Sequence, residues 1–309
     1  MSLRESLERV AAAGRGRVRR NVPLAPYSAF KVGGPADLFL EPETAEEVGT
    51  MLRLAHEEGI PLFVLGGGTN LLVRDGGFRG IVLRLGKSFR YVRVEGEELT
   101  AGAITPMSRV ALAAEEAGLG GIEFGYDIPG TVGGALRMNA GAHGSEMSRV
   151  LREARGFDPE GTFRRVPAKE VRFAYRTAVY PCSLLFTEAV LALHPEDRDD
   201  LRRRREENHA YRLRTQPKGN TVGSIFKNPP GDYAGRLVEA IGLKGHAIGG
   251  ARVSDRHGNW ILNERQASAR DIETLIRTIQ ERVQERFGVL LETEVRIVGD
   301  AQIVPEVSR

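Results

Sequence analysis

The sequence predicts an α+β protein built as three consecutive lobes, residues 1–85, 86–194 and 195–309. Three observations lead to this class. Residues 36–85 read as strand, helix, strand. Short alternating strands and a long glycine-rich stretch fill 86–194. A charged helix and then an amphipathic one dominate the rest, so helices and strands are mixed within each lobe. At 309 residues the chain is long enough for two or three domains with a sizeable core.

In the first lobe, Thr44-Ala45-Glu46-Glu47 is a capping box. Val48, Met51, Leu52 and Ala55 follow at helical spacing, and Gly59 and Pro61 end the helix. A short apolar strand, Pro61 to Leu65, runs into Gly66-Gly67-Gly68, and Ile81 to Leu85 reads as another strand. In the second lobe, strands are expected at Val92 to Val94 and Glu98 to Ala101. Thr105-Pro106 opens a helix with proline at its first position, closed by Gly118. Residues 118–144 read as glycine-rich loop, followed by strands at Glu153 to Asp158, Thr162 to Pro167 and Leu184 to Leu193. An acidic-basic helix from about Pro195 to Arg212 leads into the third lobe. There Ser268-Ala269-Arg270-Asp271 caps a helix whose apolar stripe is Ile272, Leu275, Ile276, Ile279, Val283 and Phe287, with Gly288 as its stop. A strand from Val289 to Val298 and a loose tail, 300–309, complete the reading.

Composition narrows the function classes. The pI is about 9.1, yet the formal charge is only +3 and the one dense basic run, Arg202 to Arg205, is flanked by Asp197, Asp199, Asp200, Glu206 and Glu207. Such a run is a solvated helix face rather than a nucleic-acid patch. Cys182 is the single cysteine, which fits a reducing compartment. No signal peptide is visible and no apolar run approaches the roughly 18 residues of a membrane span, so a cytoplasmic protein is expected. The six histidines are scattered, and no metal site is expected.

The 37 glycines cluster, which points to backbone passing close to a ligand. One cluster is Leu65-Gly66-Gly67-Gly68-Thr69-Asn70-Leu71. The other is Ile128-Pro129-Gly130-Thr131-Val132-Gly133-Gly134, continuing to Asn139-Ala140-Gly141. Each alone is compatible with a tight turn. Two in one chain suggest a long cofactor bearing a pyrophosphate, because glycine lets backbone N–H groups converge on phosphate. No G-x-G-x-x-G fingerprint occurs, so a dinucleotide is held in another way. Gly86-Lys87-Ser88 lacks the upstream glycine of a P-loop, and the Gly-x-Ser-x-Gly elbow of hydrolases is absent.

Gly223-Ser224-Ile225-Phe226-Lys227-Asn228-Pro229 sets a hydroxyl beside a cation and an amide, as a proton donor next to an anion site would require. Arg176 in Phe173-Ala174-Tyr175-Arg176 could aim its planar fork at a carboxylate, or simply lie over a surface aromatic. In the expected last strand, alternation places Glu292, Glu294 and Arg296 on one face, which is either a salt-bridged surface or a carboxylate facing a cleft.

These residues also carry a resemblance. Ala29 to Gly34 (AFKVGG), LGGGTNLLV from Leu65, IPGTVGG from Ile128, MNAGAHG from Met138 and FAYR from Phe173 appear in order. GSIFKNP from Gly223, AGRLVEAIGLKG from Ala234 and LETEVRIVG from Leu291 follow them. Together they resemble the UDP-N-acetylenolpyruvoylglucosamine reductase family, in its shorter subtype, over nearly the whole chain. The resemblance implies a two-lobed FAD-binding unit of the vanillyl-alcohol-oxidase type plus a C-terminal α+β substrate domain. It implies non-covalent FAD held by Leu65 to Leu71, Ile128 to Thr131, Gly133, Gly134 and Asn139 to Gly141, with NADPH as reductant. It implies Ser224 as proton donor, with Arg176 and Glu294 stabilising an enolate, all three meeting over one face of the flavin. Tyr175, Arg214, Lys227 and Asn228 would bind the UDP-sugar substrate, and the protein would be a monomer or a weak homo-oligomer. Asp127 stands where the family usually has glycine, and Ala178 where a polar residue is common.

Two other readings are weighed. A sugar or lactone oxidoreductase of the same flavin fold needs neither a carbanion proton donor nor a diphosphate clamp. A basic nucleic-acid-binding protein rests only on the pI and on Arg202 to Arg205.

Overall fold

The computed structural model describes residues 3–13 and 17–299; the expected tail, 300–309, lies outside them. Among the described residues there are seven α-helices. They are α1 (Leu3–Ala13), α2 (Ala45–Glu57), α3 (Met107–Glu116), α4 (Val132–Met138), α5 (Arg198–Thr215), α6 (Ala234–Ala240) and α7 (Ala269–Phe287). The chain packs as two compact units, each drawn from several stretches. The first comprises Met1–Arg20, Leu38–Gly67 and Gly80–Arg212; the second comprises Asn21–Asp37, Gly68–Arg79 and Leu213–Arg309.

The first unit is built on an antiparallel five-stranded sheet in the order Phe163–Pro167, Leu151–Phe157, Leu185–Ala192, Glu98–Gly102, Val92–Glu95. The central strand reads Leu-Phe-Thr-Glu-Ala-Val-Leu-Ala and is buried along most of its length, as a strand covered on both sides must be. A second sheet pairs Leu62–Val64 in parallel with Phe78–Leu83. The core joins α2, α3 and α4 to these sheets through residues such as Leu38, Met51, Leu83, Leu99, Met107, Ile122 and Leu136. The capping box forms as expected: the Thr44 hydroxyl accepts from Glu47 N, and the Glu47 carboxylate accepts from Thr44 N.

Two expectations for this unit need correction. Pro106 is the N-cap of α3, at φ −60° and ψ 139°, rather than its first helical residue. The extended ψ keeps it outside the helix, and its carbonyl accepts from Arg109 N and Val110 N. Residues 118–144 are not all loop, because α4 lies within them. Gly133 and Gly134 hide that helix in the sequence. Gly133 is needed for packing, since a Cβ there would sit 3.3 Å from both Cβ and O of Ala103.

The second unit centres on α7, whose Ile272, Leu275, Ile276, Ile279 and Val283 are buried beside Phe30, Leu72, Phe226 and Leu237. Ser268 and Asp271 form the expected capping box, and Gly288 ends the helix at φ 69°. Phe287 departs from the stripe. It is 37% exposed, and the Arg236 guanidinium lies 5.9 Å over its ring. A three-stranded antiparallel sheet joins Ala247–Ile248, Ala251–Val253 and Ile261–Asn263. Leu71–Val73 pairs in parallel with Arg296–Val298. The expected strand from Val289 therefore shrinks to its last three residues. Residues before it make irregular bonds instead, with Glu294 N and Val295 N both donating to Ile225 O.

Candidate active site

Within the first unit, the two glycine clusters of the sequence are neighbours. A Cβ on Gly66 would stand 3.1 Å from Thr131 Oγ1, and one on Gly67 would stand 3.1 Å from Gly130 Cα. Side chains at 66 and 67 would fill the space that the bare backbones leave. Thr131 is the N-cap residue of α4, yet its hydroxyl makes no capping bond. Its Oγ1 is buried and has no hydrogen-bond partner in the protein. A buried hydroxyl without a partner is costly, and such groups in native proteins call for a ligand or an ordered water. Gly134 is exposed, and a Cβ there would meet nothing nearer than Thr131 Oγ1 at 3.8 Å. Bare glycines around an unsatisfied hydroxyl fit a cofactor bearing phosphate and ring groups that accept hydrogen bonds.

Asn139, expected among the cofactor residues, uses its side-chain amide within the protein. It is fully buried and ends α4 in the left-handed conformation, φ 43°. Its Oδ1 accepts from Ser148 N at 2.9 Å, and its Nδ2 donates to Ala174 O at 3.1 Å. The Ala174 bond ties α4 to the hairpin of Arg172–Ala174 and Thr177–Val179, whose two turn residues are Tyr175 and Arg176. Arg176 sits at φ 55°. Its Nη1 donates to Gly141 O at 2.9 Å, and its guanidinium lies 5.2 Å over the half-exposed Tyr175 ring. Gly141 has no room for a side chain, as a Cβ would lie 2.5 Å from Ser145 O.

Asp127, the departure from the family pattern, has a partner. Its carboxylate meets His209 Nδ1 at 2.8 Å and is 6% exposed. The His209 ring stands edge-on to Tyr126. The segment leading into Ile128-Pro129-Gly130 is thus held by α5. Burial drives the Arg212 guanidinium below its ordinary value, with the Asp127 charge opposing that shift.

Within the second unit, Ser224 and Glu294 are placed by one short segment. Ser224 forms an isolated antiparallel bridge with Trp260, and Phe226 forms one with Thr293. Glu294 N donates to Ile225 O at 2.7 Å, which anchors Glu294 to the residue after Ser224. Gly223, at φ 86°, supplies the left-handed step before the serine. Asn70 joins this set: its Nδ2 donates to Glu294 O at 2.9 Å and its O accepts from Arg296 N at 3.1 Å. Its side chain therefore reaches Glu294, a link that the sequence alone did not suggest. Gly68 explains the third glycine, since a Cβ there would lie 1.8 Å from Tyr27 O.

Lys227 Nζ is ion-paired with the exposed Glu292 at 2.5 Å. Asn228 is exposed and its Oδ1 accepts from Ala234 N, at the start of α6, which leaves its amide N–H₂ as the group suited to an anion. Arg214 is exposed. The expected shared face of Glu292, Glu294 and Arg296 is not formed by strand alternation, because the strand begins only at Arg296. Glu292 and Arg296 are exposed and Glu294 is half-buried.

The fold and this glycine-lined cradle fit a protein that holds a phosphate-bearing cofactor. The FAD binding domain family matches residues 36–167. The C-terminal domain family of UDP-N-acetylenolpyruvoylglucosamine reductase matches residues 216–298. The UDP-N-acetylenolpyruvoylglucosamine reductase 2 of Symbiobacterium thermophilum is 46% identical over 92% of this chain and 93% of its own. The reductase of an Anaeromyxobacter species is 48% identical over 93% of this chain and 90% of its own. The crystal structure of the reductase from Thermus caldophilus, 38% identical, superposes with a TM-score of 0.81 over 92% of this chain and 100% of that one. The chain belongs to the UDP-N-acetylenolpyruvoylglucosamine reductase family and is an FAD-dependent oxidoreductase. Gly66, Gly67, Gly130, Thr131 and Gly134 are the residues whose geometry fits the cofactor.

Proposed function

We propose that this enzyme reduces UDP-N-acetylglucosamine enolpyruvate to UDP-N-acetylmuramate, the reductive step in making the peptidoglycan precursor, with NADPH as electron source. When bound and reduced by NADPH, FAD would supply the hydride that C3 of the enolpyruvyl group takes up. The chain's own residues handle the charge and proton that follow. Negative charge develops at C2 and spreads into the adjacent carboxylate. Arg176 offers a fixed positive fork to that carboxylate, and fixed charge of this kind needs no reorganisation as the transition state forms. Glu294 assists only as the neutral acid, donating a hydrogen bond to the enolate. Ser224 donates its hydroxyl proton to C2, and the alkoxide left on Oγ recovers a proton from water. A serine is a weak acid, so the strongly basic carbon it meets must drive the transfer. Tyr175, Arg214, Lys227 and Asn228 are assigned to the UDP-sugar, with the Asn228 amide on the diphosphate. By function, 1–85 and 86–194 serve FAD and 195–309 serves the substrate. The enzyme works in the cytoplasm as a monomer or weak homo-oligomer and has no nucleic-acid partner. No helix among the described residues is long and apolar enough to cross a membrane.

The observation that most supports this reading is that Glu294 N donates to the carbonyl of Ile225, the residue after Ser224, at 2.7 Å. Ser224→Ala tests it in an anaerobic stopped-flow comparison. NADPH should bleach the flavin at nearly the wild-type rate, while reoxidation by the enolpyruvyl substrate slows by roughly 10²–10⁴-fold. Equal slowing of both half-reactions would give Ser224 a structural or cofactor-related role instead.

A further inference from the structure

The geometry points to Asn259 as the positioning residue that sets the direction of the Ser224 hydroxyl, an inference that rests on reading Ser224 as the proton donor. In a regular strand, successive N–H groups point to opposite sides. Directly after Ser224 this rule is broken, and Asn259 is the reason. Ile225 N donates to the Asn259 backbone carbonyl at 2.9 Å. Phe226 N, the next amide, donates to the Asn259 side-chain Oδ1, also at 2.9 Å. The Asn259 Nδ2 then donates to Phe226 O at 2.8 Å. One residue takes both polar groups of Phe226 and the N–H before it, and the chain bends at Ile225. From the opposite side, Ile225 O accepts from Glu294 N and Lys227 N donates to Glu292 O.

A carboxamide suits this place because it presents one acceptor and one donor in a plane. Asn259 is 3% exposed and Phe226 is 1% exposed, so water cannot stand in for either bond. Asn259 is itself fixed, because its N donates to His257 Nδ1 at 3.1 Å. The neighbouring Trp260 bridges to Ser224 and sends its carbonyl to Ser254 N at 2.9 Å. The Ser254–Trp260 loop thereby fixes how the serine leaves Gly223. A proton donor loses efficiency steeply when it is misdirected by an ångström, even if it stays in place chemically.

Asn259→Asp is the test, made in the full-length FAD-loaded enzyme. The carboxylate keeps the bond from Phe226 N but turns an acceptor toward Phe226 O. Flavin bleaching by NADPH should stay within about twofold of wild type. Reoxidation by UDP-N-acetylglucosamine enolpyruvate should slow about ten- to a hundredfold, with substrate affinity little changed. In the double variant with Ser224→Ala, reoxidation should be no slower than in Ser224→Ala alone, because the asparagine acts through the serine. Multiplying losses in the double variant would overturn the inference, and so would equal slowing of both half-reactions in Asn259→Asp. If Ser224→Ala is slow and Asn259→Asp is fast, only the positioning role falls. If Ser224→Ala reoxidises at the wild-type rate, the proton-donor reading falls first. Should Asn259→Asp not fold, Asn259→Ser, which can keep a single bond, replaces it; failure of both to fold would mark Asn259 as structural and overturn the inference.

Discussion

Arg176 holds a left-handed backbone at φ 55° in the two-residue turn it shares with Tyr175. For a residue with a Cβ that conformation costs about 1–2 kcal/mol. The turn holds the guanidinium in place, with Nη1 donating to Gly141 O, and on the proposed role that fixed direction is what offsets the cost. Arg176→Gly should therefore gain roughly what it loses, since the hydrogen bond to Gly141 is worth about 1 kcal/mol. The melting temperature should move by only a few degrees, while substrate turnover falls on the order of 10²–10³-fold. Thermal melts and steady-state rates on one preparation check both halves, and a large loss of stability would make Arg176 a structural residue. Phe-Ala-Tyr-Arg left two readings of this residue open, a fork aimed at a carboxylate or an arginine over a surface aromatic, and its guanidinium does lie over the Tyr175 ring. Asn139 was visible in the sequence, but its role was not. Nothing in Met-Asn-Ala-Gly shows that its amide is used by Ser148 N, nine residues on, and Ala174 O, 35 residues on.

Helix α5 shows what an element adds. Arg-Arg-Arg-Arg followed by Glu-Glu reads as a solvated helix, and only Leu201 is buried. Yet one face is anchored through charge. Arg205 Nε meets Glu115 at 2.6 Å, with side-chain exposures of 15% and 12%. Arg204 bonds both Glu123 and Glu196, and His209 meets Asp127. Glu115, Glu123 and Asp127 each lie more than 80 residues from their partners on α5, so no local pattern reveals them. Capping boxes are different, since Thr44 with Glu47 and Ser268 with Asp271 are complete within four residues, and both were legible. Arg205→Ala strips Glu115 of its close partner and should lower stability by about 1–2 kcal/mol, allowing for partial exposure. Arg203→Ala removes a pair with Asp200 whose arginine is 65% exposed, and should change stability by less than about 0.5 kcal/mol. Urea midpoints for the two variants test the contrast, and equal effects would mean that α5 is held by something other than Arg205.

At the scale of the whole molecule, stability against acid and the route of the chain both follow from buried groups. Burial pushes the His257 imidazole below its ordinary value, with Glu239 opposing. The unfolded chain then binds that proton more readily, so stability is full above about pH 6.5 and declines as pH falls below it. Glu196, held low by its hydrogen bond from Arg204, and Asp271, held low by Ser268 N–H, add stability that is lost only as pH falls below about 4. Denaturation midpoints against pH should show both steps, with the upper one flattened in His257→Gln; an unchanged upper step in that variant would assign it elsewhere. The chain's route makes a stronger demand. Residues 21–37 and 68–79 pack in the same unit as the C-terminal third. Phe30, Val32 and Leu72 are buried in its core. Leu71–Val73 pairs with Arg296–Val298, and Asp75 accepts from Ala269 N and Arg270 N at the start of α7. The sequence showed the glycines and the capped helix but not this interleaving, because strand partners more than 200 residues apart leave no local trace. A fragment of residues 195–309 would lack that parallel strand, part of the core and the Asp75 cap. Expressed alone it should give broad, poorly dispersed amide signals and no cooperative melt. A sharp cooperative transition in that fragment would show that the N-terminal segments only cover a unit that is already complete.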